Sequence, residues 1–402
     1  MRKIKGVVFT LVAAIMLFSV STAWAAEIST TQTTFTLDEV QELVLQNNKN
    51  LEKLDISLDT IRHNQNVLIN QQDDLYSIYV EKDYLESQLA NMEPTDSRYQ
   101  SLKATIAAMG DSNNNITSRS ELSQQIGSLY DSLKDTKNTK EETQANLNVT
   151  ASKLYTNILA LQENISLLTK QVDLNVKQRD LVQLKVTLGM ATDSDYLSAC
   201  GAVDASAANL TTNKIALNSA KRTLNDLMGR NVNAVLNLEP LELDIVIDSV
   251  APLSDTQINA LKDENYHLNA LERDLKALEK DLNNEDDGNK KEELKLDIKS
   301  TKLELEEAQT TFAVTAKSKN EAVTAAAVSY TTAANNCEEA LQALNTAALQ
   351  YELGLLAAID YEKFQVSALS AQNALASAGY DYYYAKLEYD YFLQGLDINS
   401  TY

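Results

Sequence analysis

The chain of 402 residues is strongly acidic, because 57 Asp and Glu against 35 Lys and Arg leave a formal net charge of −22. This balance argues against nucleic-acid binding, since phosphates require a basic protein face. With 3 prolines and 10 glycines the chain has few helix breakers, which predicts α-helix almost throughout. The acidity has two interpretations, a surface that selects basic partners or cations, and a solvated surface that keeps copies apart.

The first 25 residues have the pattern of an export signal. Three basic residues precede an apolar run at 7–20, and Ala23-Trp24-Ala25 is a small-x-small cleavage site. We therefore expect cleavage after Ala25 and a location in the cell envelope outside the cytoplasmic membrane. An uncleaved anchor is the alternative. No later run of about 20 apolar residues predicts a membrane-spanning helix.

Two helical repeats follow, and each begins with a capping signature. Thr36 with Glu39, and Ser254 with Gln257, fit the box in which a hydroxyl and an acid or amide satisfy free backbone N–H groups. Apolar residues then recur at steps of three and four, as in Leu268, Leu271, Leu275, Leu278 and Leu282. This spacing favours a coiled-coil seam. An ordinary amphipathic bundle is the alternative.

The pattern divides the chain into four parts: a signal peptide at 1–25, a first helical repeat at 26–230, an extended linker at 231–253 and a second helical repeat at 254–402. The first repeat carries an insertion at 92–115, which has the composition of a loop with a short helix inside. The linker holds two prolines and alternating apolar residues, which favours extended backbone and one short strand.

The longest helices are predicted at about 118–188 and 291–353, each returning as a shorter partner at 193–228 and 359–393. At 1.5 Å per residue the long helices would measure on the order of 100 Å. We therefore predict an all-α fold, an elongated antiparallel coiled-coil bundle of long helical hairpins with an internal duplication.

The turns between these helices are duplicated. Leu188-Gly189 is followed by Asp195-Tyr196, and Leu353-Gly354 is followed at the same spacing by Asp360-Tyr361, always 165 residues later. Self-similarity at a fixed offset indicates a repeated structural unit. Each copy predicts a helix, a glycine turn, and a second helix that opens on Asp-Tyr.

At these positions the chain resembles the TolC family of outer-membrane efflux and secretion channels. The segment from Thr36 to Glu39, continued through Asn47-Asn48 and Leu51, looks like the family's opening helix. Tyr155 precedes Gly189 by 34 residues, the separation usual there. The segment 351–355 with Asp360-Tyr361 is similar to the family's helix-turn-helix at the tip far from the outer membrane. The likeness covers about two thirds of the chain after the signal.

The resemblance implies a homotrimer whose long helices form a hollow barrel, docked tip to tip with a periplasmic adaptor protein and an inner-membrane or ABC-type pump. Carried onto this chain, the adaptor-contact tips are Gly189, Met190, Ala191, Thr192, Gly354, Leu355, Leu356 and Ala357. The alternative is that these residues serve the helix reversal alone.

The chain departs from the family pattern in the membrane half. Family members insert β-strands into the long helical passages, and a membrane strand needs about ten residues of alternating character. Neither 92–115 nor 283–290 offers such a run, so we expect a TolC-like helical domain without a clear β-barrel. The family location in the outer membrane is therefore in question. The alternative function is a non-transporting helical envelope scaffold or spacer that has lost the membrane barrel.

Residues that could carry chemistry are sparse. His63 and His267 lack the spacing of metal ligands, and the sequence has no Ser/His/Asp set, phosphate loop or dinucleotide fingerprint. We expect no enzyme activity and no cofactor. Cys200 and Cys337 are expected as free thiols, since their distances from the two turns place them about 9 Å apart in height. Near the end, the spacing predicts a buried face with Tyr380, Tyr384 and Tyr391, and outward positions for Tyr382, Tyr383 and Tyr389. The alternative is that the tyrosines form a ring or a belt at a membrane surface.

Overall fold

The computed structural model describes residues 34–110, 112–241, 243, 251–396 and 398. The predicted signal peptide, 1–25, lies outside this part of the chain. In chain order the elements are β1 (Thr34–Phe35), α1 (Leu37–Asn47), α2 (Lys49–Ala90), α3 (Tyr99–Ala108), α4 (Ser112–Thr187), α5 (Asp193–Leu227), β2 (Asn237–Leu238), α6 (Asp255–Glu264), α7 (Tyr266–Asn284), α8 (Gly288–Glu352) and α9 (Ala358–Leu393). The predicted all-α fold of long hairpins is confirmed.

The duplication is visible element by element, since α1, α2, α4 and α5 recur as α6, α7, α8 and α9. Both predicted capping boxes are formed, at Thr36 and at Ser254. In each repeat the first helix then breaks at an asparagine whose side chain accepts backbone N–H groups of the next helix. These are Asn48 for α2 and Asn265 for α7. A side-chain acceptor therefore restarts the helix at equivalent points of both repeats.

The repeats differ in length at the end away from the duplicated turns. Helix α2 has 42 residues and its counterpart α7 has 19, so α2 is roughly 35 Å longer at 1.5 Å per residue. Helix α3 lies in the connection between α2 and α4 at this extended end.

The largest core cluster lies at the middle of the first repeat, where β1 and β2 pair in parallel beside α1, α4 and α5. Tyr155 of α4 is 1% exposed there. Its hydroxyl lies 3.1 Å from the carbonyl of Phe35 and 2.6 Å from that of Glu239, and donates to them. Burial raises the pKa of Tyr155 to about 12. A single hydroxyl therefore holds both strand segments against α4.

The two repeats are joined along α4 and α9 by a partly buried ion-pair network. The carboxylate of Glu388 in α9 accepts hydrogen bonds of 2.7 Å from Lys153 of α4 and of 2.7 Å from Lys319 of α8. One turn away, the hydroxyl of Tyr384 donates to the carbonyl of Ser152 at 2.9 Å. Three helices from both repeats thus meet at one acidic side chain.

All three predicted outward tyrosine positions are wrong, since Tyr383 and Tyr389 are half-buried and Tyr382 is buried. Tyr382 was expected to face outward, but it is 3% exposed and packs with Val323 and Ala327 of α8. Tyr380 is buried as predicted, while Tyr384 and Tyr391 are half-buried. The reason is that α9 packs on both α4 and α8, so two of its faces are covered rather than one.

A substitution at Gly395 tests the packing at the end of α9. There the chain contacts the break between α6 and α7. Gly395 has φ +82°, and an added Cβ would lie 2.1 Å from the carbonyl oxygen of Glu264. We predict that Gly395→Ala lowers the free energy of unfolding by more than about 2 kcal/mol, from strain and overpacking together. Urea unfolding followed by circular dichroism measures this.

The matched control is Gly201→Ala, a helical glycine with no atom within 4 Å of an added Cβ. This change should raise stability by about 0.5–1 kcal/mol. Equal effects of the two substitutions would contradict the described packing of Gly395.

Glu388 gives a second prediction, because burial alone would raise its pKa but the hydrogen bonds from Lys153 and Lys319 outweigh burial and hold the pKa below its usual range. We expect Glu388→Gln to cost about 1.5–3 kcal/mol at neutral pH, the range for hydrogen bonds to charged groups. A depressed carboxyl pKa contributes stability above the unfolded-state pKa, and this contribution is lost as the pH falls through the folded-state pKa.

Below pH 4.5, the usual pKa of a Glu, the wild type should therefore lose stability more steeply than Glu388→Gln. Urea unfolding across pH measures both curves. Glu292→Gln is the control, since Glu292 pairs with Lys295 at a side-chain exposure of 67% and should change stability by less than about 0.5 kcal/mol. Parallel curves for wild type and Glu388→Gln would rule out the ion-pair network.

Candidate functional site: the two helix reversals

The first reversal, residues 188–192, turns α4 back into α5 through a glycine. Gly189 adopts φ +73°. Its N–H donates to the carbonyl of Val186 at 2.9 Å, and the N–H of Met190 donates to the carbonyl of Lys185 at 2.7 Å. This is the Schellman pattern, in which a left-handed residue lets the last carbonyls of a helix find partners. Glycine adopts the left-handed conformation without the penalty of a Cβ.

The second reversal, residues 353–357, repeats this geometry between α8 and α9. Gly354 has φ +72°, and its N–H donates to the carbonyl of Tyr351 at 2.9 Å. The N–H of Leu355 donates to the carbonyl of Gln350 at 2.8 Å. The duplicated turn in the sequence is therefore a duplicated backbone structure.

The restarts of α5 and α9 differ in their caps. Thr192 forms a capping box with Asp195, whose N–H donates to the Thr192 hydroxyl while the carboxylate accepts from the Thr192 N–H at 2.8 Å. Hydrogen bonds from the backbone and then the side chain of Thr192 hold the pKa of Asp195 below its usual range. Ala357 occupies the equivalent position before α9 and provides no side-chain cap.

Both reversals present apolar side chains to solvent. Met190 is 72% exposed and Leu355 is 76% exposed, although both are large apolar residues. The residues before the two glycines, Leu188 and Leu353, are 63% and 65% exposed. The prediction had not included these two leucines among the tip residues, although their position directly before each turn glycine was the available signal.

The eight predicted tip residues all lie in the reversals. Ala191 and Leu356 are half-buried, and the remaining six are exposed. An ion pair of 2.5 Å between Lys177 of α4 and Glu362 of α9 joins the repeats, about three turns from Gly189 and about two turns from Gly354. The structure therefore brings both reversals to the same end of the molecule.

Further contacts stiffen this end. The rings of Tyr351 and Tyr361 stack across the second reversal, with centroids 5.0 Å apart. In the first repeat, a hydrogen bond with Cys200 raises the pKa of Tyr196. Cys200 is half-buried and Cys337 is buried. The described residues contain no group of three or more His, Cys, Asp or Glu side chains that could hold a metal ion.

The arrangement of this end suits contact with another protein rather than a reaction. Exposed apolar side chains on rigid helix ends give a partner protein a defined shape to fit and apolar area to bury on binding. Within the described residues, no helix combines the length and the apolar character needed to cross a membrane.

Two tandem long hairpins, joined along α4 and α9 with both reversals at one end, define the class of fold, and solved structures share it. The structure of a membrane protein from Pseudomonas aeruginosa is 12% identical, with a TM-score of 0.57 over 91% of each chain. The MtrE outer membrane channel of Neisseria gonorrhoeae is 12% identical, with a TM-score of 0.55 over 91% of each chain.

The CmeC outer membrane channel of Campylobacter jejuni is 12% identical as well, with a TM-score of 0.53 over 91% of this chain and 87% of that chain. No family model matches the sequence, and no curated protein matches it. The predicted resemblance to TolC-type outer-membrane channels is thus confirmed for the fold.

The unequal caps give a prediction, since Asp360 already occupies the position after Ala357 that Asp195 occupies after Thr192. We expect Ala357→Thr to complete a capping box before α9 and to stabilise the protein by about 0.5–1 kcal/mol. Thr192→Ala should cost about 1 kcal/mol. Urea unfolding measures both changes, and hydrogen exchange of the amides 358–361 should slow in Ala357→Thr. Faster exchange there would contradict the described start of α9.

Proposed function

We propose that this protein is a TolC-like component of an envelope efflux or secretion system, a helical conduit section that docks an adaptor protein by its two reversals. The observation that carries this proposal is the pair of equally built, exposed apolar reversals at one end of a channel-type fold. A reversal needed for geometry alone requires the glycine but does not require Met190 and Leu355 to stand more than 70% exposed.

The adaptor-contact residues we propose are Gly189, Met190, Ala191, Thr192, Gly354, Leu355, Leu356 and Ala357. Exposed backbone at the glycines allows close approach of a partner helix, because no Cβ separates the two main chains. The flanking leucines, Leu188 and Leu353, supply apolar area around them. A periplasmic-type adaptor and an inner-membrane or ABC-type pump are the proposed partners.

We propose further that the chain acts as a homotrimer in the cell envelope. Large apolar side chains stand exposed along the outer helix faces, among them Ile215 at 64%, Val314 at 65% and Val328 at 62%. Side chains of this kind favour helix packing between copies, since burial of apolar area drives association. The channels of similar fold support a conduit role over a catalytic one, and we propose no cofactor.

The test is site-specific photo-crosslinking in cells, with a photoreactive amino acid in place of Met190 or Leu355. We expect both positions to capture the same adaptor or pump subunit, identified by mass spectrometry. The matched control is Leu296 of α8, which is 63% exposed but lies roughly 85 Å from the second reversal at 1.5 Å per residue. It should not capture that subunit.

Capture of no transport protein from either reversal would contradict docking at these residues. Repeated capture of an envelope protein unrelated to transport would instead favour the alternative, a non-transporting helical scaffold. Equal capture of the adaptor at Leu296 would show that the adaptor contacts the protein away from the two reversals, which would contradict the proposed site.

A further inference from the structure

The extended end of α2 projects beyond the second repeat. Measured from their capping asparagines, α2 runs 23 residues further than α7, the difference between 42 and 19. This end of α2 packs mainly against α4 and α3. Its remaining surface is therefore not covered by α7, which ends roughly 35 Å earlier at 1.5 Å per residue.

The face of this segment toward α4 is unusually polar for a helix seam. Beyond Leu58, the buried residues of α2 are Gln65 and Lys82. Gln72 donates from Nε2 to the Ser123 hydroxyl at 2.6 Å, and the Lys82 ammonium donates to the carbonyl of Gly110. Such polar seam positions fix the register of a hairpin but contribute less apolar burial than leucine would.

The large apolar side chains lie on a neighbouring face. Tyr76, Val80 and Tyr84 are 51%, 48% and 61% exposed, and their spacing of four places them on one face of the helix. At 100° per residue the centre of this face, Val80, lies about 80° around α2 from Gln72 and about 160° from Lys82. The three side chains line a shallow surface groove together with Ser77 and Glu81. We name Tyr76, Val80 and Tyr84 the outer stripe.

The charges beside the outer stripe on α2 are acidic. Asp73, Glu81 and Asp83 are exposed and lie within one helical turn of its members. Lys82 is turned toward Gly110 and buried. Arg119 stacks on the Tyr76 ring at 4.7 Å, at the edge of the stripe that lies nearest α4.

We propose that the outer stripe docks a basic amphipathic helix of a partner protein. Apolar residues of that helix would cover the two tyrosine rings and Val80, and its flanking Lys or Arg side chains would pair with Asp73, Glu81 and Asp83. A two-fold contact with a second copy of this chain fits less well, because the same acidic flanks would face each other. Anionic lipid is disfavoured for the same reason. The surface lies away from both reversals, so the proposal does not depend on adaptor docking there.

The test uses a synthetic helical peptide with leucines at steps of three and four, flanking lysines and one tryptophan. The chain from Ala26 onward contains no tryptophan, so peptide fluorescence reports binding without background. We expect the peptide to bind the protein that begins at Ala26. Replacing the stripe by Tyr76→Ser, Val80→Ser and Tyr84→Ser should weaken binding at least about tenfold, since hot spots are apolar and aromatic.

Two controls separate the stripe from general attraction to an acidic protein. Ile56→Ser with Tyr130→Ser removes other exposed apolar side chains, at 60% and 55% exposure, and should leave peptide affinity unchanged. A peptide with glutamates in place of the lysines should not bind. Circular dichroism should be the same for all variants, because the altered side chains are exposed.

Equal peptide affinity of the wild type and the triple serine variant would overturn the proposal. So would a loss of self-association in that variant by sedimentation, which would assign the stripe to a second copy. Stripe-dependent binding to phosphatidylcholine or phosphatidylglycerol vesicles would assign it to lipid and overturn the proposal as well.

Discussion

The joint between the repeats depends on Glu388, a carboxylate that is 14% exposed and held by lysines from α4 and α8. A buried charge that lost these partners would destabilise the fold strongly, because its desolvation would be uncompensated. The position of Glu388 therefore sets the register of α9 against both neighbours. That register in turn aligns Lys177 with Glu362 and brings the two reversals to the same height.

The proposed docking function depends on this register. Each reversal alone is a common helix ending, made by a left-handed glycine that closes the last carbonyls. Side by side, the two reversals expose equivalent apolar side chains at one end of the molecule. The outer stripe of α2, at the extended end, offers a second surface of different chemistry. The molecule thus exposes apolar side chains at both ends, with the Glu388 network between them.

Much of the helical architecture could be predicted from the sequence, because the sequence signals for it are local. The capping pairs at Thr36 and Ser254, the turn glycines and the steps of three and four each act within a few residues. The burial of Tyr382 could not be predicted, because it depends on α9 contacting two helices at once. The Glu388 network could not either, since its lysines lie 235 and 69 residues away. The exposure of the outer stripe could not be predicted either, because it depends on where α7 ends.

The central claim, that register along α4 and α9 places both reversals at one end, is tested most directly by electron-spin distance measurement. Spin labels at Met190 and Leu355, in a chain whose Cys200 and Cys337 are replaced by alanine, would be diluted with unlabelled protein. Neighbouring helices lie about 10 Å apart, so the account predicts label separations below about 40 Å. A separation near 100 Å, on the order of the length of α4, would contradict it.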